Sequence, residues 1–535
     1  MRIGVFVCQC GTNIAATVDT EAVAREAMTF PDVVYATSYV YTCSQPGQDE
    51  IIQTIREKNL QGVVVAACSP RMHEPTFRRA VEKAGLNRFM FEMANIREHV
   101  SWISNDRAAN TRKAQDLVRI AVAKLRFNQP LFSTKVPVNK RVLVIGGGVA
   151  GIQAALDCSE TGLEVVLVER EASIGGKMAK LDKTFPTVDC SSCILGPKMV
   201  DVSQRENVTI HALSEVEAVT GYVGNFSVRI RKKTTSVRWD LCTGCGLCVE
   251  KCPSRKVPDR FNEELGRTRA INIPFPQAIP KKAAINRAYC LHYTRGKCGV
   301  CAKVCPTRAV DYDMEDEIVT EEVGAVIVAT GFDLFDHSVY GEYGGGRYPD
   351  VISGLQYERI LSASGPYGGH IRRPSDGREP KDVVFISCVG SRDISVDRPY
   401  CSGVCCMVQA KQAILTRDHL PGSNCYVFYM DIRSPGKGYD EFVRRAQEEY
   451  GVQYIRGRVG KVYPRGDRMV VQGADTLLGI QVEVEADLVV LATGIDASAG
   501  ARELAEKLRI SYDRYGFYME SHPKLRPVET KPAGV

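Results

Sequence analysis

The sequence predicts a multidomain α/β protein, on three observations. Short apolar runs alternate with amphipathic helical stretches through the first 130 residues or so, the pattern of a parallel, doubly wound sheet. A strand, a glycine-rich turn and a helix follow one another from residue 141. The length of 535 residues then suits about three to five domains. At 44% apolar and 25% charged, the chain is not expected to stay disordered. No apolar run approaches the ~18–20 residues of a spanning helix. The start, MRIGVFVCQCGTN, lacks a basic stretch followed by a long apolar one, so it reads as a first strand of a cytoplasmic protein.

The first domain is expected over 1–135. Its strands are Ile3–Cys8, Val33–Thr42, Gly62–Ala67 and Phe89–Met93, with helices near Thr20–Met28, Gln48–Glu57, Pro75–Ala84 and Ala108–Leu125. Three strands run into cysteine: Cys8 and Cys10, then Cys43, then Cys68. Ligands of open α/β sheets bind beyond the carboxyl ends of the strands, so these thiols are expected to converge.

A linker over Asn128–Asn139 leads to RVLVIGGGVAG. The strand Val142–Ile145 feeds Gly146-x-Gly148-x-x-Gly151 and a helix opening with Val149 and Ala150; a second strand, EVVLVE, ends on Glu169. Glycines let a pyrophosphate approach the backbone, the helix N-terminus stabilises its charge, and the acid binds ribose hydroxyls. A dinucleotide is expected here. Ala329-Thr330-Gly331 and Ala492-Thr493-Gly494 each follow a strand and resemble the segments that, in two-dinucleotide flavin oxidoreductases, close the flavin domain where the chain leaves and re-enters it. With Gly175-Gly176-Lys177 they resemble the thioredoxin-reductase-like flavoproteins, and that resemblance selects FAD. It also implies contacts from Arg170 and Val216. Lys177 and Arg392 are candidates for stabilising flavin phosphate or reduced flavin, or are solvated basic residues.

Twenty cysteines are far more than a reducing compartment explains by packing, and clustered ones point to metal or catalysis. Cys158 and Cys425 stand alone and read as buried small hydrophobes. Cys242-x₂-Cys245-x₂-Cys248-x₃-Cys252-Pro253 and Cys290-x₇-Cys298-x₂-Cys301-x₃-Cys305-Pro306 form the two-cluster ferredoxin pattern, in which the fourth cysteine of each run ligates the other cluster. One cluster is thus expected on Cys242, Cys245, Cys248 and Cys305, the other on Cys290, Cys298, Cys301 and Cys252. Zinc prefers two CxxC pairs and has no use for this spacing. The x₇ in the second run implies a longer loop beside one cluster.

The strand KDVVFI should open a second nucleotide-binding turn, yet the turn reads Ser387-Cys388-Val389-Gly390-Ser391-Arg392 and is followed by YCSGVCC. Cys388, Cys401, Cys405 and Cys406 are a cluster-sized ligand set, the alternative being a redox disulfide relay. This domain is expected to have exchanged NAD(P) binding for an electron-transfer centre. For a fourth cluster, Cys10, Cys43, Cys68 and Cys193 are favoured; alternatively Cys190 and Cys193 form an exchange pair near the flavin. Four clusters would add about eight negative charges to a formal +6, so the charge gives no argument for nucleic acid.

With these residues in place, the chain resembles the family of A-type subunits of heterodisulfide reductase. The likeness spans nearly its whole length, most specifically TFPTVDCSSCILGPKM and CVGSRD…YCSGVCC. The resemblance implies one FAD that accepts an electron pair and splits it. One electron goes toward B- and C-type subunits that reduce a disulfide, the other toward ferredoxin, with four [4Fe–4S] clusters as carriers. It also implies an electron-input subunit linked to a hydrogenase or dehydrogenase, and a dimer within a larger complex. Expected boundaries are 136–235, 316–372 and 486–535 for the FAD domain, 236–315 for the inserted ferredoxin and 373–485 for the degenerate nucleotide-binding-like domain. Family members continue beyond the last residues seen here, so the third FAD part is expected to be cut short. Competing readings are a subunit of a quinone-interacting membrane-associated complex, a structural electron wire with a vestigial flavin site, and an NAD(P)-dependent amidotransferase-like flavoprotein. No Ser/His/Asp triad or carboxylate pair is defensible, and His73 and His99 read as surface or cap residues.

Overall fold

A computed structural model describes residues 1–535. It divides into one unit of Met1–Val136 with Glu520–Lys531, and a second of Pro137–Met519 with Pro532–Val535.

The first unit holds a parallel four-stranded sheet in the order Val33–Tyr39, Ile3–Cys8, Gly62–Ala67, Phe91–Asn95. Its two inner strands are buried along their whole length, which is why they read as near-continuous Val, Ile and Ala. Helices Thr20–Ala27, Gln45–Glu57, Pro70–Lys83 and Arg107–Leu125 begin at Asp19, Ser44, Ser69 and Asp106, whose side chains each accept an amide hydrogen of the first turn. Their apolar sides cover both sheet faces. Full burial of each such Val or Ile contributes ~1.5–3 kcal/mol.

The second unit repeats one plan twice. In the first copy, Ala325–Val328, Arg141–Ile145, Glu164–Val168 and Val208–His211 form a parallel sheet, accompanied by the antiparallel strands Glu317–Val323, Asn225–Lys232 and Ser214–Tyr222. In the second, Val351–Ser353, Leu488–Thr493, Asp382–Val389, Asn424–Tyr429 and Gln453–Arg456 are parallel, accompanied by Val459–Arg465, Arg468–Asp475 and Ile480–Ala486. The cysteine-rich insert leaves after Lys232 and returns at Glu317, which are directly paired neighbours. It is therefore a hairpin loop grown into a domain, and the host sheet closes without it.

Sheet membership corrects three expected boundaries. The chain crosses between copies at Phe332–Leu334, antiparallel to the return strand Ile495–Ala497. The second copy thus begins near 335 rather than 373, since Val351–Ser353 already belongs to its sheet, and ends at Thr493 rather than 485. Leu488–Thr493, expected in the FAD domain, lies between Val351–Ser353 and Asp382–Val389 with every residue buried. The stretch Glu520–Lys531 belongs with the first unit, while Gly534 accepts the Val326 amide beside the flavin-type sheet.

Candidate dinucleotide and metal centres

The glycine turn is built by close backbone approach. A Cβ on Gly146 would sit 2.3 Å from the Ala329 carbonyl oxygen, and one on Gly151 would sit 1.8 Å from that of Gly146. Gly148, by contrast, caps the helix Val149–Glu160 and faces open space, as does Gly331 at φ +67°. Those two glycines border the room that a pyrophosphate needs at a helix N-terminus. Glu169 accepts the Gly147 amide at 2.6 Å through one oxygen and the Glu171 amide at 2.8 Å through the other. Each oxygen keeps a lone pair for a ribose hydroxyl. Burial pushes this carboxyl above its ordinary range, against the pull of those two amides. Gly176 reaches across, its Cβ position 2.9 Å from the Gly148 Cα. The residues fit a dinucleotide. Gly148→Leu is expected to yield protein with unchanged far-UV circular dichroism but without visible flavin absorbance.

Some expected FAD contacts lie elsewhere. Lys177 Nζ is 3.0 Å from Asp333 Oδ1, and Arg170 donates to the Ala499 carbonyl at 3.2 Å and approaches Asp333 at 3.7 Å. Burial pushes Asp333 up, but the Ala499 amide and these two cations outweigh it and hold the carboxyl below its usual range. Both basic residues are therefore committed to bracing the crossover. The Val216 side chain is buried in the core beneath the sheet, so only its backbone could meet a ligand. Thr330 receives the Ser498 hydroxyl at 3.3 Å. Thr493 and Gly494 sit in the second copy, where the Gly494 amide donates to Val389 at 2.7 Å and a Cβ would lie 2.3 Å from the Gly390 oxygen.

That contact leads to the second centre. Cys388, at φ +60°, is the last residue but one of the strand Asp382–Val389, while Cys405 and Cys406 open the helix Cys405–His419. Cys388, Cys401, Cys405 and Cys406 line one open space with Arg392, Asp431 and Arg433. The Gly403 amide donates to Cys401 Sγ and the Arg433 amide to Cys406 Sγ, both at 3.4 Å. Burial and the neighbouring thiols push Cys388 up to about 11 and Cys405 up to about 12. Four thiols crowded together resist ionising by themselves; a cationic iron core, with amide donors and a helix N-terminus around it, reverses that balance. The set fits a cluster. Arg392 is ion-paired with Asp431 here, away from the flavin-type turn.

The insert shows the two-run symmetry in its backbone. Cys248 lies in Leu247–Lys251 and Cys301 in Val300–Val304, two helices packed on each other. Cys252 and Cys305 follow them at ψ 125° and 113°. The prolines after them forbid the helical conformation and swing each of these cysteines out of its own run. Burial pushes the Cys301 thiol up against the Tyr312 hydroxyl, with Cys290 and Cys252 contributing, and pushes Cys248 up to about 11, with Cys242, Cys245 and Cys301 contributing. Burial pushes Cys305 up, but the Thr307 hydroxyl and the Ala309 amide outweigh it and hold the thiol below its ordinary value. Tyr312 places its hydroxyl 3.0 Å from Cys301 Sγ. Burial, then that sulfur, keeps the phenol protonated far above its usual range. Eight thiols in two short runs are the soft donors that iron–sulfur ligation uses.

In the first unit Cys8, Cys10, Cys43 and Cys68 lie within electrostatic reach of one another. Burial, then Cys8 and Cys10, push Cys43 up; burial raises Cys68 to about 12, with Cys10 and Cys43 contributing and Arg97 opposing. Arg97 lies 3.7 Å from Cys10 Sγ. Cys193 differs from its expected place: it is bonded to Cys190, both standing at the start of the helix Ser191–Gln204 with Cα atoms 5.2 Å apart. A cluster ligand is a thiolate, so Cys193 can serve only with that bond open.

Residues 141–246 match the family described as FAD dependent oxidoreductase. Over its full length the chain is 52% identical to the A subunit of H(2):CoB-CoM heterodisulfide,ferredoxin reductase from Methanothermobacter marburgensis, covering 80% of that protein. The chain belongs to the heterodisulfide reductase A-subunit family. It is 53% identical to the second iron-sulfur A subunit of CoB--CoM heterodisulfide reductase from Methanopyrus kandleri, covering 81% of it. Among solved structures, the thioredoxin reductase of T. acidophilum aligns over 74% of this chain and 93% of its own, at 14% identity and a TM-score of 0.38.

One pair in this heterodisulfide reductase-family chain escaped sequence reasoning. Lys411 Nζ lies 2.8 Å from Glu358 Oε1, each side chain 1% exposed. Lys411 also donates to the Lys183 carbonyl at 2.7 Å, and Glu358 accepts from Gln412 at 2.7 Å and from the Asp182 amide at 3.1 Å. The pair ties the loop before Cys190 to the helix that starts at Cys405. Nothing in the sequence signals it, because lone Lys and Glu residues are ordinarily solvated.

Proposed function

We propose that this chain is the flavoprotein subunit of a heterodisulfide reductase-type complex that divides electron pairs at one FAD between a disulfide-reducing branch and ferredoxin, with four [4Fe–4S] clusters as conductors. The observation that carries this reading is the second copy of the nucleotide-binding plan: where a glycine turn would hold a nicotinamide dinucleotide, it presents four thiols to one space. FAD supplies the exchange between two-electron and one-electron chemistry, and iron–sulfur clusters supply one-electron carriage. The chain's own residues bind and orient. Gly148 and Gly331 leave room for phosphate, and Glu169 is held for the ribose. Gly494 lets the loop after Cys388 close against the return strand. Four relatives named for the same subunit, three of them with ferredoxin in their names, support the two branches.

The test combines the anaerobic chain with its B- and C-type subunits, ferredoxin and a subunit for electron input. Reduction of ferredoxin is expected only while heterodisulfide is also being reduced. Equal ferredoxin reduction without the disulfide would mean a single path and overturn the division of pairs.

A further inference from the structure

The seven-residue spacing between Cys290 and Cys298 encodes the short helix Leu291–Arg295, for which the first run, with two residues at that point, has no counterpart. That helix delivers two rings. His292 stacks on Tyr312 with centroids 3.7 Å apart and planes within 10°, while its Nδ1 donates to the Cys298 carbonyl at 2.8 Å. The Tyr293 hydroxyl donates to the Tyr312 carbonyl at 2.7 Å and meets Ser236 Oγ at 2.8 Å, and Arg287 covers its ring at 4.6 Å. Tyr312 is thus fixed by its ring face and by its backbone, with its hydroxyl on the Cys301 sulfur.

The two halves of the insert align as CPSRKVPD and CPTRAVDY from Cys252 and Cys305. Asp259 therefore stands in the first half where Tyr312 stands in the second. Its carboxylate instead accepts the amides of Phe261 and Asn262, both at 3.2 Å, and the Asn262 side chain at 2.8 Å. The phenol is a second difference between the halves, beside the extra helix.

We propose that Tyr312, held by the His292–Tyr293 helix, donates to Cys301 and raises the reduction potential of the cluster on Cys252, Cys290, Cys298 and Cys301. This rests on the reading that the insert's cysteines hold clusters. A hydrogen bond to a ligand sulfur withdraws negative charge and favours the more negative, reduced cluster, and hydrogen bonds to sulfur are among the main determinants of such potentials.

The experiment is an EPR-monitored redox titration of the anaerobic full-length chain and its Tyr312→Phe variant, with iron counted in both. Cys298→Ser marks which signal belongs to the second cluster. Tyr312→Phe is expected to keep the iron and move that signal alone to lower potential, and His292→Ala to move it the same way by less. Replacement of Tyr312 by a ring-fluorinated tyrosine, a stronger donor of the same shape, should move it up even if the phenylalanine variant proves unstable. With iron intact, an unmoved signal or equal shifts in both signals would overturn the inference. A wild-type chain without iron on these cysteines would overturn the cluster reading and the inference together.

Discussion

Cys388→Ser is expected to lower the iron content by about four atoms per chain and to reduce electron transfer through this protein to background. Cys388, Cys401, Cys405 and Cys406 face one space, and no other cysteine lines it. The nearest alternative in the same domain, Cys425, is 1% exposed and turned toward the Ala413 carbonyl in the core. The backbone at φ +60° holds Cys388 in place through the turn that Gly390 and Gly494 close, so no neighbouring residue can slide in. Cys158→Ser is the matched control: Cys158 sits half-buried on a helix among apolar residues, and its loss should leave iron, flavin and activity unchanged. Iron and acid-labile sulfide assays on both variants decide it.

Lys411→Met is expected to cost ~3–5 kcal/mol, because it leaves the Glu358 carboxylate buried without its cation. The double variant Lys411→Met with Glu358→Gln should recover part of that loss, since no charge remains buried and the amide oxygen can still accept from Gln412 or from the Asp182 amide. Urea midpoints of the three proteins, each loaded with its cofactors, provide the measurement. A loss within ~1 kcal/mol for the single variant would mean that water reaches the pair.

What was legible in the sequence follows from where its signals are local. The parallel sheets announce themselves as short runs of Val and Ile because both faces are covered, and strand ends at Cys8 and Ala67 coincide with those the structure shows. Helix starts were less legible. Pro75 suggests a helix boundary, yet the helix begins at Pro70 behind the Ser69 cap and runs through Pro75, giving up one backbone hydrogen bond. The glycine turn was legible as a motif because its geometry is set by residues close in sequence.

Long-range features were not. The two ATG tripeptides look alike, but the first ends a strand of the flavin-type sheet and the second a strand of the other sheet; only pairing separates them. Lys177 reads as a candidate for flavin phosphate or reduced flavin, or as a solvated residue, and Arg170 as a cofactor contact, whereas both lie on a partner more than 150 residues away, Asp333. The tie between Glu358 and Lys411 and the phenol on Cys301 likewise join residues that no spacing rule connects.

The most direct measurement is the content of iron, acid-labile sulfide, zinc and flavin in protein purified without oxygen. Four clusters and one FAD predict about 16 iron atoms, a matching amount of sulfide and one flavin per chain, with no zinc. A colourless preparation, or zinc in place of iron on these cysteines, would contradict the cluster-and-flavin reading at its root.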